Sequence, residues 1–285
     1  MDVSIGLPTT VPGITGAALL DFARRADRAG FTSLCAVDRL VHDGYEPLAV
    51  LAAAAAVTTR IRLASTVLLG SCRGSAAPLA KQLATVDRLS GGRLVVGLAV
   101  GDREDDFVAA GVPFTERGRR MDTLVRELRA VWAGEGPAAG VGPRPVRPEG
   151  PPLLFGGHSP AAMRRAARYG SGWISGGSSG TAYRELVDRA RQAWAREGRT
   201  QPPRVVSLCY VSLGPDGRRH AEEYLHSYYA YIGTKARRAA SRAVTDGRRL
   251  RDALAEYADA GCDEIVLFPC SASPDQVDLV AGAVW

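Results

Sequence analysis

Asp38-Arg39 with His42, Asp102 in the run Gly101-Asp102-Arg103-Glu104, and two glycine-rich runs are the places where this chain could do chemistry. Carboxylates and an imidazole can carry protons, and a guanidinium can hold an anion. The first glycine run is Phe155-Gly156-Gly157-His158-Ser159-Pro160. Ser159 stands as a helix N-cap and Pro160 at the first helical position, so free backbone N–H groups and the positive end of the helix dipole face the glycines. A phosphate could be held there without a lysine, although an ordinary capped strand-to-helix turn reads the same way. Ser175-Gly176-Gly177-Ser178, leading to Thr181, repeats the theme one unit later.

Other chemistries fail on spacing. Gly157-His158-Ser159-Pro160 is not a GxSxG nucleophile elbow, and no Ser, His and Asp fall in the order of a recognisable triad. His42, His158, His220 and His226 show no HExxH or other metal pairing, so no metal is expected. No Walker loop is present. Asp102, Glu104, Asp105 and Asp106 could act as acid or base, but a solvated first helical turn explains them equally well.

The elements that must position these residues alternate from end to end. Residues 61–69 and 94–100 are apolar runs of strand length, and between them Leu79, Leu83, Val86 and Leu89 recur at helical spacing. Two apolar strands joined by a helix imply a parallel sheet covered on both faces. Strands are likewise predicted at 3–8, 33–37, 152–156, 172–175, 205–211 and 264–268. Helices are predicted at 15–29, 47–58, 118–132, 160–169, 181–197 and 274–285, with a broken helical tract over 218–260. Residues 134–151 are rich in glycine and proline and read as a surface excursion in preference to a domain linker. Eight strand-helix units over residues 1–285 fit one closed (β/α)8 TIM barrel of the α/β class better than an open doubly wound sheet. In a barrel the chemistry sits in the loops after the strands, and neighbouring late loops commonly form a phosphate site.

With 285 residues, 46% of them hydrophobic, the chain can bury a large core. Its five cysteines form no CxxC pair and are odd in number, which indicates neither a disulfide framework nor a thiolate metal site and suits a reducing cytoplasm. The first residues show no signal-peptide pattern, and the longest apolar run, residues 48–57, is half of the roughly 20 residues a membrane span needs. A net charge of +6 could suggest nucleic acid, but most arginines lie among acids on helices, the pattern of a solvated face. The expectation is a cytoplasmic protein with a small-molecule substrate and neither nucleic acid nor membrane as partner.

Leu79-Ala80-Lys81-Gln82-Leu83-Ala84-Thr85-Val86-Asp87, followed by Leu89-Ser90-Gly91-Gly92-Arg93-Leu94 and Gly97, resembles the signature of the luciferase-like monooxygenase superfamily, the bacterial luciferase-like flavin and deazaflavin oxidoreductases. Similar phrases follow the family's order over nearly the whole chain, among them Ala36-Val37-Asp38-Arg39-Leu40, Gly111-Val112-Pro113-Phe114 and Ala258-Asp259-Ala260-Gly261-Cys262-Asp263. The resemblance implies a TIM barrel that binds reduced FMN or the deazaflavin coenzyme F420, and a flavin-type oxidoreductase or monooxygenase acting on a small organic substrate. The chemistry would be hydride transfer with the deazaflavin or oxygen activation with FMN. Carried over by position, Asp38, Thr66, Val67, Ala99 and Gly101 would flank the ring, and Gly156, Gly157, Ser159, Ser175 and Gly176 would sit by the phosphate. The family pattern also implies a non-prolyl cis peptide behind the ring at the third strand, at Thr66-Val67 to within one residue. Asp38, Arg39, His42 and Asp102 are the catalytic candidates, with Arg39 placed to hold an anionic substrate. The chain departs from the family in having Arg39 where deazaflavin relatives often have His, and Asp102 where Trp is common. It lacks the long insertion of many FMN enzymes, which gives the deazaflavin a slight preference. A non-catalytic flavin-binding barrel is the alternative, and a homodimer would follow family habit.

Overall fold

A computed structural model describes residues 1–177, 180–233 and 235–285. Eight parallel strands close a barrel in sequence order: β1 (Asp2–Gly6), β2 (Ser33–Ala36), β3 (Arg62–Leu69), β4 (Leu94–Ala99), β5 (Leu153–Gly156), β6 (Gly172–Ile174), β7 (Arg204–Val211) and β8 (Glu264–Pro269). The seam joins β8 to β1, pairing Asp2 with Glu264 and Ile5 with Leu267. Each expected strand is present within one or two residues of its expected ends. β4 pairs directly with β5, so the excursion at residues 134–151 leaves and re-enters the same barrel.

The helices are α1 (Gly16–Arg28), α2 (Pro47–Ala55), α3 (Ala76–Leu89), α4 (Glu104–Ala109), α5 (Arg117–Ala133), α6 (Pro160–Tyr169), α7 (Gly180–Arg196), α8 (Gly217–Tyr228), α9 (Lys235–Ser241), α10 (Gly247–Asp259) and α11 (Asp275–Val284). Local chemistry sets their starts. Pro47 and Pro160 open α2 and α6, where the Glu46 and Ser159 side chains accept the N–H groups of Ala49 and Ala162. α4 is a difference from the sequence reading, which left Glu104–Asp106 between acid-base groups and a solvated first turn. The three acids do fill the first turn of a helix, but Asp106 turns inward and is buried.

Alternate strand residues point in opposite directions and build two apolar layers. Leu34, Leu63, Val96, Phe155, Trp173 and Ile265 face outward into the helices. Cys35, Ala64, Leu154, Ile174, Val206, Val266 and Phe268 fill the barrel itself. α3 carries one departure from the expected stripe. Leu89, at its last residue, is 60% exposed, whereas Asp87 is buried and accepts the Val146 N–H at 2.7 Å, which fastens the excursion to the barrel. At the N-terminal end of the barrel Glu264 accepts hydrogen bonds from Ser4, Ser33 and Arg204, and Arg204 also bonds Asp2. Burial pushes the Glu264 carboxyl up, but the two hydroxyls and the guanidinium outweigh it and hold it below the usual range.

Candidate functional site

At the C-terminal end the barrel's inner layer opens. Cys35, Ala64, Leu154 and Val206 are buried, while Val37, Val67, Ala99, Gly156, Leu208 and Tyr210, one step further along their strands, are partly exposed. Val67 and Ala99, expected to flank a ring, and Gly156, expected by its phosphate, come together there. A methyl group on Gly156 would lie 3.3 Å from both Ala99 Cβ and Val67 Cγ1, so strands β3, β4 and β5 meet with almost no side chain between them. The Thr66-Val67 peptide is cis, and the β3–β4 register slips between Ser65 and Leu68. Thr66 turns down to line the barrel interior, where its hydroxyl meets only the Cys35 thiol. Gly101 adopts φ +84° above Phe107.

The opposite half of the mouth is roofed. Tyr210 of β7 packs against Phe268 of β8 with centroids 6.4 Å apart and shares its hydroxyl with Tyr229 at 2.9 Å. Tyr224 reaches Thr10 after β1 at 2.7 Å, and its ring packs tilted against Tyr228, which meets Tyr229 edge to face. This tyrosine roof comes from α8 and the 3-10 turn at Ala230–Ile232, a tract in which the sequence shows no motif. Its only signal was Tyr224 and Tyr228 at i, i+4, a spacing equally suited to ordinary core.

The four catalytic candidates divide. Arg39 and His42 come together under the roof: the Arg39 guanidinium lies 4.6 Å from the Tyr228 centroid and 4.7 Å from that of Tyr231, and His42 stands 5.3 Å from Tyr228. Burial works against a charged Arg39, and the hydrogen bonds to the two phenol oxygens more than compensate. His42 Nδ1 lies 3.0 Å from the Asp43 carbonyl, which only accepts, so Nδ1 donates this bond. Asp38 points away from them. Its Oδ2 accepts the Leu69 N–H at 2.9 Å and Arg73 at 2.7 Å, and its side chain is 8% exposed. Asp102 is exposed at the rim, 3.5 Å from Tyr231 Oη.

Sequence reasoning missed three supports. Arg73 ties Asp38 to Glu46, Asp106 accepts the Val41 N–H at 2.7 Å, and Arg103 binds Asp105 while its guanidinium lies 4.6 Å from the Tyr231 centroid. They fix the loop that carries His42 against the ends of β3 and β4.

The glycine turns are adjacent, because β5 pairs with β6. Gly157 has φ +117°, a left-handed backbone that favours glycine, and its carbonyl accepts Trp173 Nε1 at 2.8 Å. Ser175 Oγ donates to the Gly176 carbonyl at 2.7 Å, so its 3.0 Å contact with His158 must be a bond donated by His158 Nε2. Burial, with Arg189 nearby, lowers the His158 pKa and keeps the ring neutral. The proton of Ser175 is therefore spent locally, whereas the Ser159 hydroxyl only accepts in its bond from the Ala162 N–H. Ser178 lies outside the described residues, as does the Thr181 side chain.

No described helix is long and apolar enough to cross a membrane, and among the described residues no group of His, Cys, Asp and Glu could hold a metal ion. All five cysteines are free.

A closed barrel with a side-chain-poor recess at one half of its C-terminal mouth and paired glycine turns beside it places the chain among the (β/α)8 proteins, whose ligand sites lie at that face. The luciferase-like monooxygenase family matches residues 1–278, and the chain belongs to that family. The F420-dependent glucose-6-phosphate dehydrogenase of Beutenbergia cavernae is 29% identical over 261 residues, 83% of this chain and 76% of the relative. The FMNH2-dependent dimethylsulfone monooxygenase of Pseudomonas putida is 28% identical over 194 residues, 62% of this chain and 53% of the relative. A crystal structure of a monooxygenase from Streptomyces bottropensis shares the fold, with a TM-score of 0.80 at 24% identity over 100% of this chain and 98% of that one.

Proposed function

We propose that the protein is a flavin-type oxidoreductase that reduces, oxidises or oxygenates a small organic molecule, with the deazaflavin F420 slightly preferred to FMN as cofactor. The observation that carries this is the meeting of Val67, Ala99 and Gly156 beside the glycine turns, a seat where any larger side chain would fill the space a flat ring needs. The residues fit the cofactor: Val67, Ala99 and Gly101 would lie along the ring, and the backbone of Gly156, Gly157, Ser159, Ser175 and Gly176 would hold its phosphate. The preference for the deazaflavin is supported by the longer match to the F420-dependent relative.

When bound, the ring supplies or accepts the electron pair, and FMN in its reduced form would also activate oxygen. The protein's own residues bind, orient and shield. The tyrosine roof keeps water from the β7–β8 side of the mouth, His42 accepts or returns a proton at Nε2, and Asp38 and Asp106 hold the loops that carry Arg39 and His42. Paired titrations with FMN and F420, read by quenching of ring fluorescence, test the reading. Saturable binding of either at micromolar concentration supports it, and binding of neither refutes it. Substrate-dependent change in the redox state of the bound ring then separates an enzyme from a barrel that only stores the cofactor.

A further inference from the structure

Arg39 is a cation that the fold orients without neutralising. Nε donates to Tyr228 Oη at 3.1 Å and one Nη2 hydrogen to Tyr231 Oη at 3.2 Å, which uses the whole side-on edge of the guanidinium. Phenols are uncharged near neutral pH, so these bonds fix the group and leave its charge standing. The other arginines of this face are matched: Arg73 with Asp38 and Glu46, Arg103 with Asp105. Among the described residues no carboxylate forms an ion pair with Arg39.

What remains free is the end-on edge, both Nη1 hydrogens and the second Nη2 hydrogen. That is the fork that matches the two oxygens of a carboxylate. Arg39 and His42 line a cavity of about 210 Å³ together with Asp38, Glu46, Leu69 and Cys72. Arg73 lines it too, and both acids of the cavity lie on Arg73, at 2.7 and 3.3 Å, so neither is paired with Arg39. Held between two rings, the guanidinium has already lost much of its rotamer freedom, which lowers the cost of binding an anion.

We propose that Arg39 determines specificity, and that the substrate of this oxidoreductase is a small organic acid whose carboxylate docks on the free edge of Arg39. The assignment rests on the reading of the mouth as an oxidoreductase site. A cofactor phosphate would fit the same fork, so the test separates the two sources.

Acetate, butyrate and benzoate, each paired with its uncharged amide, are titrated by calorimetry at low ionic strength into the protein without added flavin. This arm stands whether or not a ring binds. At least one acid is expected to bind more tightly than its amide. Arg39→Gln is expected to reduce that acid's affinity by about 10- to 100-fold, and Arg39→Lys, which keeps the charge and loses the fork, by about 5-fold or more. In parallel, FMN and riboflavin, which differ only in the phosphate, are titrated into both proteins, and their affinity ratio is expected to be the same in Arg39→Gln as in the parent. The proposal is overturned if no acid is preferred to its amide by the parent protein, a comparison that needs no variant to fold. It is also overturned if a folded Arg39→Gln protein binds the acid unchanged, or if that variant loses affinity for FMN but not riboflavin, which would give Arg39 to the cofactor.

Discussion

Asp38 stands at the end of β2 among the catalytic candidates, yet its bonds run to structure, and two substitutions test which role it has. Asp38→Ala removes the acceptor of the Leu69 N–H at 2.9 Å and the partner of Arg73 at 2.7 Å. An orphaned buried N–H costs about 1–3 kcal/mol, and breaking a buried ion pair about 3–5 kcal/mol. The second figure falls here because Arg73 is 24% exposed and keeps Glu46 at 3.3 Å. The sum comes to about 3 kcal/mol, or roughly a 6 °C fall in melting temperature for a protein of this size. Asp38→Asn keeps an oxygen acceptor and loses the charge, with an expected cost of about 1 kcal/mol and roughly 2 °C. Thermal unfolding followed by circular dichroism gives both numbers, and ring titration reports whether the seat survives. If Asp38 positions the loop, the asparagine variant keeps ring affinity and turnover within about threefold, in line with its small stability loss. A variant that melts like the parent and binds the ring, but has lost about two orders of magnitude in turnover, would make Asp38 the acid or base and refute the assignment.

Glu264 gives a pH prediction. Its pKa is held below 4.5 in the folded state, so its contribution to stability is present above pH 4.5 and lost as pH falls through the folded value. Glu264→Gln is therefore expected to be less stable than the parent at pH 7 and to lose less stability between pH 5 and 3, measured by urea unfolding across that range; parallel acid limbs would contradict it. Gly156→Val puts a branched side chain 3.3 Å from Ala99 and Val67, and is expected to weaken ring binding by about tenfold or more while the far-ultraviolet spectrum stays that of a folded barrel. Unchanged affinity would move the ring elsewhere. Burial, with Asp106 and Asp38 beside it, pushes the half-buried Cys72 thiol up to about 11, so at pH 8 only about one molecule in a thousand carries the thiolate. The native protein is expected to react slowly with a disulfide reagent and to release five thiols once unfolded; fast labelling of Cys72 in the native state would show the environment to be wrong.

The barrel was legible because its strands read as short, nearly continuous apolar runs that alternate with helical stretches, as parallel strands buried on both faces must. Strand ends and helix starts such as Pro47 and Ser159-Pro160 are local decisions, made within a few residues. That Val67, Ala99 and Gly156 belong to one end of the barrel was legible because each stands at or near the end of an apolar strand run. What the sequence could not show is which way long polar side chains turn. Asp38 and Arg39 are neighbours in the chain, and only the positions of Arg73 and Tyr228, 35 and 189 residues further on, decide that one is bound into the scaffold and the other faces the cavity. The tyrosine roof was hidden for the same reason: its rings gain meaning from Thr10, Arg39 and Phe268, none of which is close to them in sequence.

The seam between β1 and β8 has a consequence for synthesis. Asp2 is synthesised long before its partners Glu264 and Asp263, which lie far along the chain. Until β8 emerges the nascent chain therefore carries β1 as a bare parallel edge, open to pairing with a neighbouring polypeptide. The ends of β3, β4 and β5, where Val67, Ala99 and Gly156 meet, are translated well before that edge is sealed, so the closed mouth of the barrel exists only once β8 has docked.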